Sequence, residues 1–198
     1  IKDLKEKNGY SQRDAAQYNP RLAMDEELLW DFLMETQEET MDYLLKKLSK
    51  ETIITLVNKE IVKGGFLFAL KEGVFIENRQ PRLLYRKPAT SFNEKAVQQY
   101  KANRLSVIEE VVYEEGGRID LVIFINGLAL FAIELKFNPS GQSVQDAIKQ
   151  LKGRNPNNRL FRFEQGVLAS FAVDTMEIYM TTQLKGQETY FLPFNMGK

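Results

Sequence analysis

Residues 117–136 read GRIDLVIFINGLALFAIELK, and this stretch decides the fold. Two strongly apolar runs flank Asn126 and Gly127, a dipeptide suited to the positive φ angles of a tight β-hairpin turn. Both runs are apolar at consecutive positions instead of alternating, which predicts a central hairpin covered on both faces by the helical segments before and after it.

Three charged side chains interrupt the apolar runs: Asp120 in the first, Glu134 and Lys136 near the end of the second. Burying a lone ion is costly, so charges inside such strands call for partners, a metal, or a strand end that reaches solvent. Glu134 and Lys136 are two apart and share a sheet face. Two carboxylates converging beside an ammonium suit phosphodiester hydrolysis, in which oxygen ligands hold Mg²⁺, the ion polarises the phosphate, and the lysine orients the attacking water. The plainer alternative places Glu134 and Lys136 at a solvated strand end, with Asp120 capping a turn. Register separates the two. A turn of Asn126 and Gly127 alone would pair Asp120 with Ile133 and turn its carboxylate away from Glu134. A three-residue loop of Ile125, Asn126 and Gly127 would return it, so the sequence predicts an odd loop or a bulge.

Outward from the hairpin, Asp25 reads as an N-cap, and Leu28, Leu29, Phe32, Leu33, Met41, Leu44, Leu45 and Leu48 recur at helical spacing to about Lys50. A further helical run from Ile53 to Ile61 ends at Gly64 and Gly65. Residues 1–22 read as polar and irregular, 66–90 as mixed, and 104–115 as a strand. Val144, Ala147, Ile148 and Leu151 mark a helix over 142–154, and strands are predicted over 167–173, 176–181 and 189–192, with a tight turn near Asp174. Lys152, Arg154, Arg159 and Arg162, with Phe161 and Phe163 interleaved, form a basic segment. It reads as a track for a phosphate backbone, a solvated loop, or an edge strand.

Composition narrows the chemistry further. Among 198 residues, 27 Lys and Arg balance 27 Asp and Glu, so net charge neither announces nor excludes a nucleic-acid partner. Cys and His are absent, which removes thiolate and imidazole metal sites, cysteine nucleophiles and histidine bases, and leaves carboxylates, Lys, Tyr and hydroxyls. No apolar run is long enough to span a bilayer and no signal core follows the Lys-rich start, so a cytoplasmic protein is expected. The start at Ile1 and the end at Met196, Gly197 and Lys198 are expected to be those of a fragment.

The run quoted above, with Asp120, Glu134, Leu135 and Lys136, resembles the nuclease motif of type I restriction endonuclease R subunits, in which an Asp, a fourteen-residue step and E-x-K recur around an NGL hairpin. FLMETQEET (32–40), DAIKQL (146–151) and FLPFN (191–195) are similar to further segments of that family. The resemblance implies an α/β (α+β) fold with a restriction-endonuclease-like PD-(D/E)xK core, a central mixed sheet flanked by helices behind an N-terminal helical extension. It implies one nuclease domain over 1–198, with a mainly helical lead-in to about 100 and the catalytic part beyond.

The implied activity is Mg²⁺-dependent endonucleolytic cleavage of double-stranded DNA, with Mn²⁺ able to substitute. Asp120, Glu134 and the Leu135 carbonyl would be the metal ligands, Lys136 the catalytic lysine, and Gln150 the glutamine of a Q-x-x-x-Y pattern. Arg154 stands where that pattern has Tyr. Lys152, Arg154 and Arg159 are the candidate DNA contacts. Relatives also carry an active-site Glu on an early helix, for which Glu26, Glu27, Glu35 and Glu39 are all candidates. ATP belongs to a translocating motor, and no G-x-x-x-x-G-K-[ST] loop occurs in this chain. The implied partners are methyltransferase (M) and specificity (S) subunits; no membrane is implied. A catalytically silent module of the same fold, holding DNA or docking subunits, is the alternative.

Overall fold

Asn126 (φ 50°) and Gly127 (φ 81°) both lie in the left-handed region, so the chain reverses within two residues and the apolar runs on either side pair antiparallel. The computed structural model describes residues 1–137 and 141–195. Numbered along the chain, the strands are β1 (Ser11–Arg13), β2 (Tyr18–Asn19), β3 (Met24–Asp25), β4 (Leu105–Glu114), β5 (Gly117–Ile125), β6 (Leu128–Leu135), β7 (Ala169–Val173), β8 (Ile178–Thr181) and β9 (Leu192–Asn195). The helices are α1 (Lys2–Asn8), α2 (Glu26–Thr36), α3 (Glu38–Leu45), α4 (Lys50–Gly64), α5 (Phe66–Glu72), α6 (Glu94–Lys101) and α7 (Val144–Lys152).

The strands form one mixed sheet in the order β1-β4-β5-β6-β7-β8-β9, with β1–β4 and β6–β7 parallel and the other neighbours antiparallel. The β2–β3 ribbon hangs on β6 through Met24 and Leu128. Helix α7 makes the crossover between the parallel strands β6 and β7, and packs across β6, β7 and β8. This is the mixed sheet flanked by helices that the resemblance implied.

Two apolar clusters hold the molecule together and meet at the hairpin. Val122, Phe124 and Ala132 pack with Val144, Ala147 and Leu151 of α7. Ile125 and Leu128, next to the turn, pack with Leu29, Phe32 and Leu33 of α2 and with Ile54, Val57 and Ile61 of α4. Helix α2 starts where expected: Asp25 Oδ1 accepts the Leu28 N–H at 3.0 Å, and Asp25, fully buried, is paired with Arg13 at 2.8 Å.

Several segments differ from the sequence reading. Residues 1–22 are not irregular: β1 and β2 join the sheet, too short to show any period. Within 66–90, α5 follows α4 after Gly65, whose φ of 89° breaks the helix. Helix α6, capped by Asn93 accepting the Ala96 N–H at 3.0 Å, has no buried residue, and its apolar face is only Ala96, Val97 and Tyr100, too short to mark a period. The last strand lies at Leu192–Asn195, shifted from 189–192. Residues 155–166 are a succession of turns and not an edge strand.

Candidate active site

The turn is the two-residue one, not the three-residue loop. A bulge restores the facing instead. Phe124 pairs with Ala129, but Ile123 pairs with Phe131, leaving Leu130 unpaired; its carbonyl accepts the Leu168 N–H at 2.9 Å. Beyond the bulge the register runs to Leu121 opposite Ile133, so Asp120 comes level with Glu134.

At that point β5 leaves β6. Glu110 on β4, level with Asp120, has φ 56°, and across it the residues facing the α7 side change from Ile108 and Val122 to Val111 and Ile119. The ladder ends, and Asp120 Oδ2 takes the place of a backbone acceptor, receiving the Leu135 N–H at 2.7 Å.

Glu134 is fully buried beneath α7. Its Oε1 accepts from Lys136 Nζ at 3.4 Å and its Oε2 from Arg154 Nη2 at 2.9 Å. Lys136 Nζ also donates to Gln150 Oε1 at 2.7 Å, so one turn of α7 holds the lysine against the acid. Burial pushes the Glu134 carboxyl above its ordinary value; Arg154 opposes this by hydrogen bonding, while Asp120 adds to it. Arg154 Nη1 donates to the Tyr113 hydroxyl at 2.9 Å, and burial raises the Tyr113 pKa against the pull of that guanidinium. An open cleft of about 470 Å³ lies alongside, lined by Tyr113, Gly117, Lys149, Gln150 and Arg154.

The profile of one protein family, described as type I restriction enzyme R protein N terminus, matches residues 2–189. The chain belongs to this family. No curated protein matches it.

For an R protein N terminus, the sequence-predicted residues divide by position. Asp120, Glu134, Lys136 and Gln150 come together at the open end of the hairpin, where the Leu135 N–H donates to Asp120. Among the described residues no cluster of three or more Asp and Glu forms a metal cage. Asp120 and Glu134 present two carboxylates, and that chemistry fits Mg²⁺, which is commonly held by one or two carboxylates and completes its shell with water.

Arg154 is turned inward, its side chain 11% exposed and bound to Glu134 and Tyr113. Arg159 donates to Asn58 Oδ1 at 2.7 Å and to the Gln165 carbonyl at 2.6 Å, contacts that brace the turns after α7 to α4. Lys152 sits half-buried on the last turn of α7.

The early-helix candidates on α2 lie elsewhere, and Glu39 falls on α3. Glu26 pairs with Asn19, Glu27 with Arg13, and Glu35 with Arg104. Helix α2 abuts the turn end of the hairpin, where Gly127 meets Leu29, and Glu134 is six residues along β6 from Leu128, a span of roughly 20 Å. Tyr113 is the site residue that the sequence reading missed; its signal was a tyrosine two residues from Val111 on the buried face of the strand beside Asp120.

Proposed function

We propose that this R-protein domain is a Mg²⁺-dependent endonuclease that hydrolyses phosphodiester bonds of double-stranded DNA. The observation that carries the reading is the convergence of Asp120, Glu134 and Lys136 where β5 leaves β6. Asp120, Glu134 and the Leu135 carbonyl would hold the ion, which when bound would polarise the scissile phosphate and supply a water acidic enough to attack it. Lys136 has three donors; among the described residues Gln150 and Glu134 engage two, and the third N–H would orient water or steady the charge that develops on the phosphate. Burial of Glu134 keeps the acid in one rotamer against α7, so its oxygens are placed in advance. DNA translocation and choice of target would fall to a separate motor and to M and S subunits.

One observation favours a second reading, a silent module that holds DNA or docks subunits: both oxygens of Glu134 are already engaged by Lys136 and Arg154. Calorimetric titration of the chain with Mn²⁺ or Mg²⁺ separates the two. Binding that Asp120→Ala and Glu134→Ala each abolish is the expected outcome. Binding unchanged in both variants makes the docking role the better account.

A further inference from the structure

Arg154 is an odd neighbour for a metal ligand. Its Nη2 lies 2.9 Å from Glu134 Oε2 and Lys136 Nζ lies 3.4 Å from Oε1, so each carboxylate oxygen has a cation of its own. With Asp120 beside them, the four side chains sum to zero formal charge. A divalent ion added to this group raises the charge to +2 and must take an oxygen now bound to a guanidinium or an ammonium. Mg²⁺ binds carboxylate oxygen at about 2.0–2.1 Å, too close to share that oxygen comfortably with a second cation.

Of the two resident cations, Arg154 is the one built to leave. Lys136 is tethered by Gln150 at 2.7 Å and by its place two residues from Glu134 on the same strand. Arg154 lies beyond the end of α7, past the Gly153 cap, and its Nε is buried without a hydrogen-bond partner among the described residues. Among the described residues the polar partners of its side chain besides Glu134 are the Tyr113 hydroxyl and ring, with the guanidinium carbon 5.4 Å from the ring centroid. The cleft of about 470 Å³ that Arg154 itself lines gives the side chain somewhere to go.

We propose that Arg154 and a divalent ion are alternative counter-cations of Glu134, so that Arg154 sets how tightly the site takes its metal. The inference rests on the reading of Asp120 and Glu134 as metal ligands. It makes Arg154 a positioning residue acting through Glu134, and it predicts a direction that a merely supporting role would not give: losing the side chain strengthens metal binding.

The test is calorimetric titration of the 198-residue chain with Mn²⁺ alone. Arg154→Gln is expected to bind about tenfold tighter than the parent, the scale on which partners of metal-bound carboxylates act. Arg154→Lys, which keeps the charge, is expected to stay near the parent. Lys149→Gln, a loss of charge on the same helix and cleft, is expected to change nothing and controls for bulk electrostatics. Affinity in Arg154→Gln that is equal or weaker, while Glu134→Gln abolishes binding, overturns the inference and leaves the metal site standing. Binding that survives Glu134→Gln unchanged, or that is absent from every protein, overturns the metal-site reading and this inference with it. Should Arg154→Gln fail to fold by circular dichroism, Tyr113→Phe removes one of the two hydrogen bonds on the guanidinium and is expected to tighten Mn²⁺ binding by a smaller factor; no tightening there overturns the inference equally.

Discussion

Tyr18 packs edge-on against Phe124, ring centroids 6.1 Å apart, and its buried hydroxyl has no hydrogen-bond partner among the described residues. Leaving such a group unsatisfied costs about 1–3 kcal/mol, so Tyr18→Phe is expected to be neutral or stabilising by roughly 1 kcal/mol in urea denaturation. Burial also raises the Tyr18 pKa well above its ordinary value. The folded protein therefore holds the phenolic proton more tightly than the unfolded chain, and the associated stability, complete below a pH of about 10, is lost as pH rises further. Tyr18→Phe should flatten that alkaline loss. Glu134 has the same sign in the acid range, since burial raises its pKa too. Arg154→Ala leaves this acid with less compensation and is expected to cost about 3 kcal/mol near pH 8. The deficit should shrink as pH falls toward the unfolded glutamate value of about 4.3, where protonation removes the buried charge. A deficit that is flat or grows toward acid pH contradicts the assignment.

At the scale of elements the hairpin is the most legible part of the molecule, because its information is local: a turn dipeptide, two apolar runs and the spacing of two acids. The spacing between Asp120 and Glu134 is one residue longer than a plain hairpin with this turn allows for facing residues, and Leu130 absorbs the difference as the bulge. Parity demanded an extra residue but did not say whether it lay in the turn or in a strand. Asn126 shows why the turn stayed short: its Oδ1 accepts the Arg104 N–H at 2.7 Å and its Nδ2 donates to the Leu83 carbonyl at 2.9 Å, fixing the turn to two distant segments. Gly127 has even less latitude, since a Cβ there would sit 2.3 Å from the Asp25 carbonyl oxygen and 2.6 Å from Leu29 N. Gly127→Ala combines that clash with a φ of 81° and is expected to cost at least ~3 kcal/mol, read as a lowered denaturation midpoint with unchanged slope. Strands β1 to β3 and the approach of Arg154 to Glu134 stayed illegible for a different reason. A two-residue strand has no period, and residues twenty apart meet only through the crossover of α7.

Over the whole molecule the two apolar clusters share β5 and β6. Phe124 and Ala129 belong to the α7 side, and their neighbours Ile125 and Leu128 to the helical side. Neither cluster can dissolve without freeing residues of the other, so unfolding should be a single transition. Trp30, the sole tryptophan, sits on α2 with Lys50 5.3 Å from its ring and reports the helical side, whereas far-ultraviolet circular dichroism reports the entire chain. Denaturation curves from the two probes should coincide. Phe32→Ala, at a fully buried position, should shift both together by about 3–5 kcal/mol; separate midpoints would mean two independent units. The short strand β1 acquires its importance at this scale. It pairs Ser11, Gln12 and Arg13 with Ser106, Val107 and Ile108 near the beginning of β4, whereas the next two residues on that edge, Glu109 and Glu110, carry charge. A chain trimmed past Arg13 would present an uncovered, sticky border to its own copies and would leave buried Asp25 without its guanidinium, so its failure would show as aggregation together with a loss of stability.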